Sequence, residues 1–96
     1  MPDRVVVLDA GYESYAYEQA LLSDHDFSLE IFSGAHDDRQ GRIEFARGAV
    51  GAFVRWTIVN DAFFKALPEM KAIVRYGVGY DNIDLQAATT HGVRVA

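Results

Sequence analysis

The residues best suited to chemistry lie in the segment VRYGVGYDNID, at positions 74–84. Two glycines, Gly77 and Gly79, flank Val78 in this segment. Glycine lets the backbone turn sharply, so the consecutive N–H groups of Val78 and Gly79 can point at one anion. The segment therefore predicts a small-anion site, and a glycine-rich turn without a ligand is the alternative.

The same glycines raise the question of a dinucleotide-binding fold. Its fingerprint is Gly-x-Gly-x-x-Gly, with a small third position that lets the helix pack closely on the strand. The third position here is Asn82, and the acidic residue expected about 20 positions later would fall beyond residue 96. A P-loop is excluded because no Gly-Lys-Ser or Gly-Lys-Thr follows. The pattern favours an anion other than a nucleotide phosphate.

Two arginines come at the ends of predicted strands. Arg55 ends the third predicted strand, and Arg75 lies near the end of the fourth. Ligands bind beyond the carboxyl ends of parallel strands, and the planar guanidinium group is suited to a carboxylate. If the two strands are neighbours, Arg55 and the 77–79 amides face one crevice, with Arg75 a candidate for the same crevice. These groups predict a small-carboxylate site, and a solvated surface charge is the alternative for each arginine.

The three histidines are weaker candidates. His25 and His36 each lie next to aspartates, a combination that can bind a metal, but polar turns are the preferred interpretation. His91 falls in the last turn of a short predicted helix, where a histidine interacts favourably with the helix dipole. We therefore expect no metal site and no general base among them.

An aspartate and a group of tyrosines complete the candidates. Asp9 ends the first predicted strand near the expected crevice, and a structural role in the loop is the preferred interpretation. Tyr12, Tyr15 and Tyr17 are close together in sequence. We expect them to belong to the amphipathic face of the first helix, with Tyr12 at the rim of the crevice.

The elements that would position these residues follow from the apolar runs. Short apolar and β-branched runs, typical of strands in parallel sheets, predict strands at 4–10, 27–33, 49–54, 71–76 and 93–96. Helical spacing and capping residues predict helices at 13–24, 37–48, 60–70 (stopping before Pro68) and 84–92.

Several residues mark where the predicted helices begin and end. Asp37 with Gln40 is close to a capping box, although Gly41 makes this second helix the weakest. Gly48 and Gly92 are expected to stop the second and fourth helices. Asn60 and Asp84 are expected to be the N-cap residues of the third and fourth helices.

The alternation of five strands with four helices predicts an α/β fold. Connections are a few residues long, which favours a parallel sheet with helices on both faces. Five strands in this length suggest a flavodoxin-like, doubly wound sheet formed by residues 1–96 as one domain.

Composition limits the classes of function. The net charge of −5 argues against a nucleic-acid partner, which requires a basic face. The chain has no cysteine, which excludes disulfides and thiolate zinc sites. No apolar run approaches the roughly 18–20 residues needed to span a bilayer, and the first residues do not resemble a signal peptide. A cytoplasmic protein without a membrane partner is predicted.

The segment from Gly51 to Ala96 resembles the substrate-binding domain of the D-isomer-specific 2-hydroxyacid dehydrogenases. The most specific part is IVRYGVGYDNIDLQAATTHGVRV at residues 73–95, while the earlier residues match only loosely, through VVVLDAGY. Within the family, the chain looks nearest to the branch that contains phosphoglycerate dehydrogenase-like enzymes and the C-terminal-binding-protein corepressors.

This resemblance implies roles for individual residues. The backbone amides of Val78 and Gly79 would hold the substrate carboxylate. Arg55 matches a position where phosphoglycerate dehydrogenase-like members often place a substrate-contacting arginine, and Arg75 belongs to the IVR motif near the site. Trp56 departs from the small polar residue common in the dehydrogenases, and its bulk would narrow the pocket. The catalytic histidine, its glutamate partner and the dinucleotide fingerprint belong to a part of the family outside these residues.

The resemblance also implies a function for the parent protein. The chain would be the N-terminal substrate-binding domain of an NAD(P)-dependent D-2-hydroxyacid dehydrogenase, which transfers hydride between nicotinamide and a 2-hydroxy or 2-oxo acid. NAD or NADP would be bound by a Rossmann domain absent from this chain, and the parent is expected to be a homodimer. We expect the fragment alone to be inactive and to expose apolar surface that a C-terminal helix covers in the family.

Two other functions compete with the dehydrogenase. A partner-binding module related to the corepressor branch is the alternative, and it would use a groove near the first strand. A phosphate-accepting regulator would need an aspartate at the end of the third strand, and Arg55 stands there instead.

Overall fold

The fold alternates strands and helices along the whole chain. The structure, a computed structural model, describes residues 3–11, 14–35, 37–76 and 82–96. Its elements are β1 (Asp3–Val7), α1 (Ala16–Asp24), β2 (Phe27–Ile31), α2 (Arg39–Ala46), β3 (Gly51–Val54), α3 (Asp61–Ala66), β4 (Ala72–Arg75), α4 (Leu85–Thr90) and β5 (Arg94–Val95). The predicted order of strands and helices is confirmed, although each element is shorter than predicted because its ends turn into the loops.

The five strands form one parallel sheet in the order β2-β1-β3-β4-β5. This is the flavodoxin-like order, in which the direction of winding reverses between β1 and β3. The predicted fold class is therefore confirmed. The carboxyl ends of β1, β3 and β4 come together at one edge of the sheet, which we call the carboxyl edge.

The helices lie on both faces of the sheet, as predicted, but unequally. Val6 of β1 belongs to a larger core that it shares with residues of α2, α3 and α4. Val5 and Val7 point to the opposite face, as alternation along a strand requires, and pack with Tyr15 and with Leu22 of α1 in a smaller core. Among the described residues, three helices thus cover one face and α1 covers the other.

The prediction for the first helix is wrong in its orientation. Tyr17 is 76% exposed and Leu21 is also exposed, and α1 has no fully buried residue. The side that faces the sheet instead carries Leu22, with the buried Tyr15 as the N-cap residue of the helix. Residues 15 and 22 are two helical turns apart and so lie on one face, which leaves Tyr17 and Leu21 toward solvent.

The second helix begins one residue later than predicted. Its N-cap is Asp38 rather than Asp37, and the Asp38 carboxylate accepts a hydrogen bond from Gly41 N–H at 2.8 Å. A Cβ at position 41 would lie 2.2 Å from Asp38 Oδ2, so Gly41 makes room for the cap. The glycine that weakens the helical pattern therefore stabilises the start of the helix.

The glycines predicted to end helices do so. Gly48 and Gly92 follow α2 and α4 with φ angles of +80° and +70°, a region that favours glycine. The predicted caps Asn60 and Asp84 accept hydrogen bonds from Phe63 N–H and Ala87 N–H, both at 3.0 Å.

An open apolar groove of about 410 Å³ lies on the α1 side of the sheet, over β1, β3 and β4. It is lined mainly by apolar side chains, among them Val5, Leu22, Phe53 and Val74. That a C-terminal helix covers apolar surface of this domain stays a prediction. No helix among the described residues is long and apolar enough to cross a membrane.

Candidate active site at the carboxyl edge

Asp9 organises the loop that follows β3. Its side chain is 1% exposed, and Oδ2 accepts hydrogen bonds from the backbone N–H groups of Arg55, Trp56 and Thr57, at 2.8, 3.0 and 2.8 Å. Its other oxygen, Oδ1, accepts from the Thr57 hydroxyl at 2.7 Å. One carboxylate at the end of β1 thus fixes three consecutive residues of the neighbouring loop, and the structural role expected for Asp9 is confirmed.

Arg42 balances the charge of Asp9. This arginine of α2 is buried, its Nε lies 3.3 Å from Asp9 Oδ1, and it donates to the Leu8 carbonyl at 3.0 Å. Its guanidinium also lies over the Phe32 ring, 5.0 Å from the centroid. Arg42 was not among the functional residues predicted from the sequence. The available signal was its spacing: Arg42 lies one turn before the buried Ala46, so it faces the core and requires a buried acid.

Asn82 joins the loop after β3 to the start of α4. Its Nδ2 donates to the Thr57 carbonyl at 2.8 Å, and its Oδ1 accepts from Arg75 Nε at 2.9 Å. The backbone supports the same connection, because Val59 N–H donates to the Asn82 carbonyl and Asp84 N–H donates to the Val59 carbonyl, both at 2.8 Å. The loops that follow β3 and β4 are therefore tied together at the carboxyl edge.

Arg55 lies on the surface of this edge between two aromatic rings. Its guanidinium carbon is 5.6 Å from the centroid of Trp56 and 5.8 Å from that of Tyr76. The side chain also lies against Gly11, where an added Cβ would come within 2.4 Å of Arg55 Nη1. Both Arg55 and Trp56 are exposed, so the cation is accessible from solvent.

Two phenols fix the loop that follows β1. Tyr76 donates its hydroxyl proton to the Asp9 carbonyl, and Tyr15 and Tyr76 are hydrogen-bonded at 2.8 Å. Because Tyr76 uses its proton on Asp9, Tyr15 must be the donor between the phenols, and the Tyr15 oxygen accepts from Gly11 N–H at 2.9 Å. Burial, and then the hydrogen bond with Tyr15, raises the pKa of Tyr76 well above its usual value.

The predicted site residues lie in two different environments. Arg75 pairs in register with Val54, whose side chain is in the larger core, and Arg75 bonds to Asn82 on that side. Arg55 lies instead against Tyr76, which packs on the smaller core. The structure therefore does not bring the two arginines to one crevice. Arg75 Nη1 is buried and has no hydrogen-bond partner among the described residues, and the predicted amides of Val78 and Gly79 lie outside them.

The histidines do not form a metal site within the described part of the chain. No group of three or more potential ligating side chains occurs there, and His36 is not among the described residues. His25 caps the C-terminal end of α1 through its backbone. His91 Nε2 is 2.8 Å from Asp61 Oδ1, which joins α4 to α3. The hydrogen bond with His91, followed by that with Lys65, lowers the pKa of Asp61.

The described residues do not fit a dinucleotide. A dinucleotide fold needs a small residue at the third fingerprint position so that the helix approaches the strand. Asn82 occupies that position, and both ends of its amide are engaged, with Thr57 and Arg75. The Asn82 side chain is therefore held in place at the position where the fingerprint requires a small residue.

Comparison with known proteins places these features in a family. The model of the D-isomer specific 2-hydroxyacid dehydrogenase catalytic domain matches residues 5–96. The chain is 34% identical over 77 residues to glyoxylate reductase of Thermococcus onnurineus, covering 78% of this chain and 23% of that protein. It is 30% identical over 76 residues to glyoxylate/hydroxypyruvate reductase B of Serratia proteamaculans, covering 75% and 22%.

The fold is similar to that of a solved structure of the same kind. The NAD+-bound 3-phosphoglycerate dehydrogenase of Entamoeba histolytica superposes with a TM-score of 0.79 at 26% identity, covering 99% of this chain and 32% of that one. The chain thus spans between a fifth and a third of the length of these relatives. The match over nearly all residues, with the parallel sheet and its carboxyl-edge loops, shows that the chain belongs to the D-isomer specific 2-hydroxyacid dehydrogenase family, in its catalytic domain.

Proposed function

We propose that this chain is the substrate-binding part of an NAD(P)-dependent dehydrogenase that interconverts a small 2-oxo acid and its D-2-hydroxy acid. The reductase names of both curated relatives support glyoxylate or hydroxypyruvate as substrates. The complete protein is proposed to be a cytoplasmic homodimer, and residues 1–96 are proposed to form one domain within it.

The observation that carries the proposal is the environment of Arg55. Its guanidinium is exposed at the carboxyl edge, where ligands bind in sheets of this order. The described residues accept no hydrogen bond from its side chain, so its planar row of donors is available to a carboxylate. The role of Arg55 is to bind the carboxylate and orient the 2-oxo carbon.

The other proposed site residues have different support. The amides of Val78 and Gly79 are proposed to hold the same carboxylate on the strength of the family resemblance. Arg75 is proposed to act through its contact with Asn82, which holds one end of that loop against Thr57.

The nicotinamide cofactor is proposed to bind to a Rossmann domain outside these 96 residues. When bound, it supplies the hydride for reduction or accepts it in oxidation. The neighbour from Entamoeba contains NAD+, and it is about three times as long as this chain. On this proposal the present residues bind and orient the acid, and the groups that move the hydroxyl proton lie elsewhere in the complete protein.

The test is steady-state kinetics on the complete product of the gene. We expect oxidation of NADH or NADPH that depends on glyoxylate or hydroxypyruvate. Arg55→Gln should raise KM by roughly 10- to 100-fold, because a charge-assisted hydrogen bond contributes about 1.5–3 kcal/mol. Arg47→Gln, at an exposed arginine paired with Glu44 on α2, is the matched control and should leave KM unchanged. An active protein in which Arg55→Gln has the wild-type KM would contradict the role of Arg55.

The purified 96-residue chain is expected to show no turnover with either nicotinamide. The engaged side chain of Asn82, at the third position of the dinucleotide fingerprint, supports this expectation. Reduction of glyoxylate by this chain alone would disprove this part of the proposal.

A partner-binding module is the second candidate function. The apolar groove over β1, β3 and β4 favours it, because it lies beside the first strand, where such a module would bind its partner. The reductase relatives and the catalytic-domain model favour the dehydrogenase. A folded complete gene product with no nicotinamide-dependent turnover on any 2-oxo acid would favour the second candidate.

A further inference from the structure

We infer that Gly11, Tyr15 and Tyr76 are positioning residues that hold the Arg55 guanidinium in its carboxylate-binding place. We call these three residues the arginine seat. The inference rests on the proposed role of Arg55 and adds the reason why this exposed side chain adopts one defined position. A free arginine side chain would lose about 2 kcal/mol of rotamer entropy on binding a ligand, and a seated one loses less.

Gly11 provides the space for the seat. A Cβ at this position would lie 2.4 Å from Arg55 Nη1 and 2.8 Å from its Cδ. The φ angle of Gly11 is not in the left-handed region, since among the described glycines only Gly48 and Gly92 are. The backbone at position 11 therefore accepts alanine. Glycine is needed there because Arg55 lies where a Cβ would be.

The ring of Tyr76, which belongs to the seat, and the ring of Trp56, which does not, both contact the Arg55 guanidinium. Both rings lie within 6 Å of the Arg55 guanidinium carbon, the range in which a cation is attracted to an aromatic face. These contacts hold the cation without using its N–H groups. The donors of Arg55 therefore stay available while its position is restricted.

The phenol of Tyr15 fixes Gly11 relative to the ring of Tyr76. Gly11 N–H donates to the Tyr15 oxygen, Tyr15 donates to Tyr76, and Tyr76 donates to the Asp9 carbonyl. This chain of hydrogen bonds begins and ends on the loop after β1 and passes through the ring that contacts Arg55. The space at Gly11 and the ring of Tyr76 are thus parts of one rigid unit.

The kinetic test is a double-mutant cycle in the complete gene product, with glyoxylate as substrate. Gly11→Ala should raise KM about tenfold and leave kcat within about twofold, because Arg55 is displaced but the reacting groups are not. In the Arg55→Gln background, Gly11→Ala should have no further effect. Gly34→Ala is the matched control, because its Cβ would crowd the end of the Phe32 side chain at 2.3 Å, away from Arg55.

The spectroscopic test uses the ¹⁵N-labelled complete gene product, without substrate. The Arg55 Nε–H signal, assigned by its loss in Arg55→Gln, should lie at a ring-shifted position in the wild type. Gly11→Ala and Tyr76→Leu should both move it toward the position of a solvated arginine. Tyr76→Phe keeps the ring and should retain most of the shift.

The outcomes separate the inference from the proposed function. If Arg55→Gln raises KM while Gly11→Ala and Tyr76→Leu change neither KM nor the Arg55 signal, the seat is disproved and the role of Arg55 stands. If the complete protein reduces glyoxylate and Arg55→Gln leaves KM unchanged, the arginine seat and the role of Arg55 are both overturned, and the dehydrogenase function stands. Gly11→Ala can also raise KM by the same factor in the wild type and in the Arg55→Gln variant. In that case Gly11 acts independently of Arg55, and the inference is wrong.

Discussion

Asp9 and Thr57 are joined by two hydrogen bonds, one from the Thr57 N–H at 2.8 Å and one from its hydroxyl at 2.7 Å. The two residues are 48 positions apart in the sequence and meet where β1 and β3 lie side by side. This is the point in the sheet where the winding reverses and a crevice forms. The loop that carries Arg55 takes its shape from this one buried carboxylate.

Asp9→Asn is expected to destabilise the protein by about 3–5 kcal/mol, because it leaves Arg42 buried without its counter-ion. The amide also offers an N–H group where the carboxylate accepted hydrogen bonds. Urea unfolding followed by circular dichroism measures the loss. Asp37→Asn, at an exposed turn residue, is the control and should change stability by less than about 0.5 kcal/mol. A loss below about 1 kcal/mol for Asp9→Asn would show that Arg42 finds another partner.

Gly41→Ala is expected to have opposite effects in two backgrounds. Replacing a helical glycine by alanine ordinarily stabilises by about 0.5–1 kcal/mol. Here the new Cβ would collide with the capping Asp38 carboxylate, whose loss costs about 1 kcal/mol. We therefore expect Gly41→Ala to give no gain or a small loss in the wild type, and the full gain in Asp38→Ala. Thermal unfolding of the wild type, the two single variants and the double variant measures these changes in stability. An equal gain in stability from Gly41→Ala in both backgrounds would refute the clash.

Asn82→Ala is expected to destabilise by about 1–3 kcal/mol, since it leaves the Thr57 carbonyl and Arg75 Nε without their partner. Asn82→Asp should recover part of the loss, because a carboxylate accepts from Arg75 but cannot donate to Thr57. Gln86→Ala, on the exposed side of α4, serves as control. The denaturant midpoint should be highest for the wild type, lower for Asn82→Asp and lowest for Asn82→Ala. A midpoint of Asn82→Asp below that of Asn82→Ala would contradict the prediction.

The protein is expected to lose stability at alkaline pH through Tyr76. Its pKa in the folded state is raised above the value of about 10 that it has in the unfolded chain. Below that pH both states bind the proton, and above it the unfolded state releases the proton first, so stability falls as pH rises. Tyr76→Phe should flatten this dependence above about pH 10. Tyr17→Phe, at an exposed tyrosine, is the control, and equal slopes in wild type and Tyr76→Phe would count against the assignment.

The candidate site was partly predictable. The location of Arg55 at the carboxyl edge followed from strand order, and strand order followed from the alternation of elements. The separation of Arg55 from Arg75 did not follow. It depends on which face of the sheet each side chain points to. Because β3 ends at Val54, the direction of the Arg55 side chain cannot be read from the alternation of side chains along the strand.

The sequence by itself determined the local structure of this protein. Strand periodicity, the caps at Asn60 and Asp84 and the stops at Gly48 and Gly92 act within a few residues, so their signals are readable along the chain. The family resemblance is of the same kind, since its most specific motif is one continuous segment, 73–95.

Only the tertiary structure decided which distant side chains meet. Asp9 with Arg55 and Tyr15 with Tyr76 are 46 and 61 positions apart, and their contacts depend on the parallel register of β1, β3 and β4. The buried Arg42, the exposed Tyr17 and the space at Gly11 follow from the same packing. Hydrogen bonds and burial act over a few ångströms in space, so a pattern along the chain cannot specify them before the sheet brings the strands together.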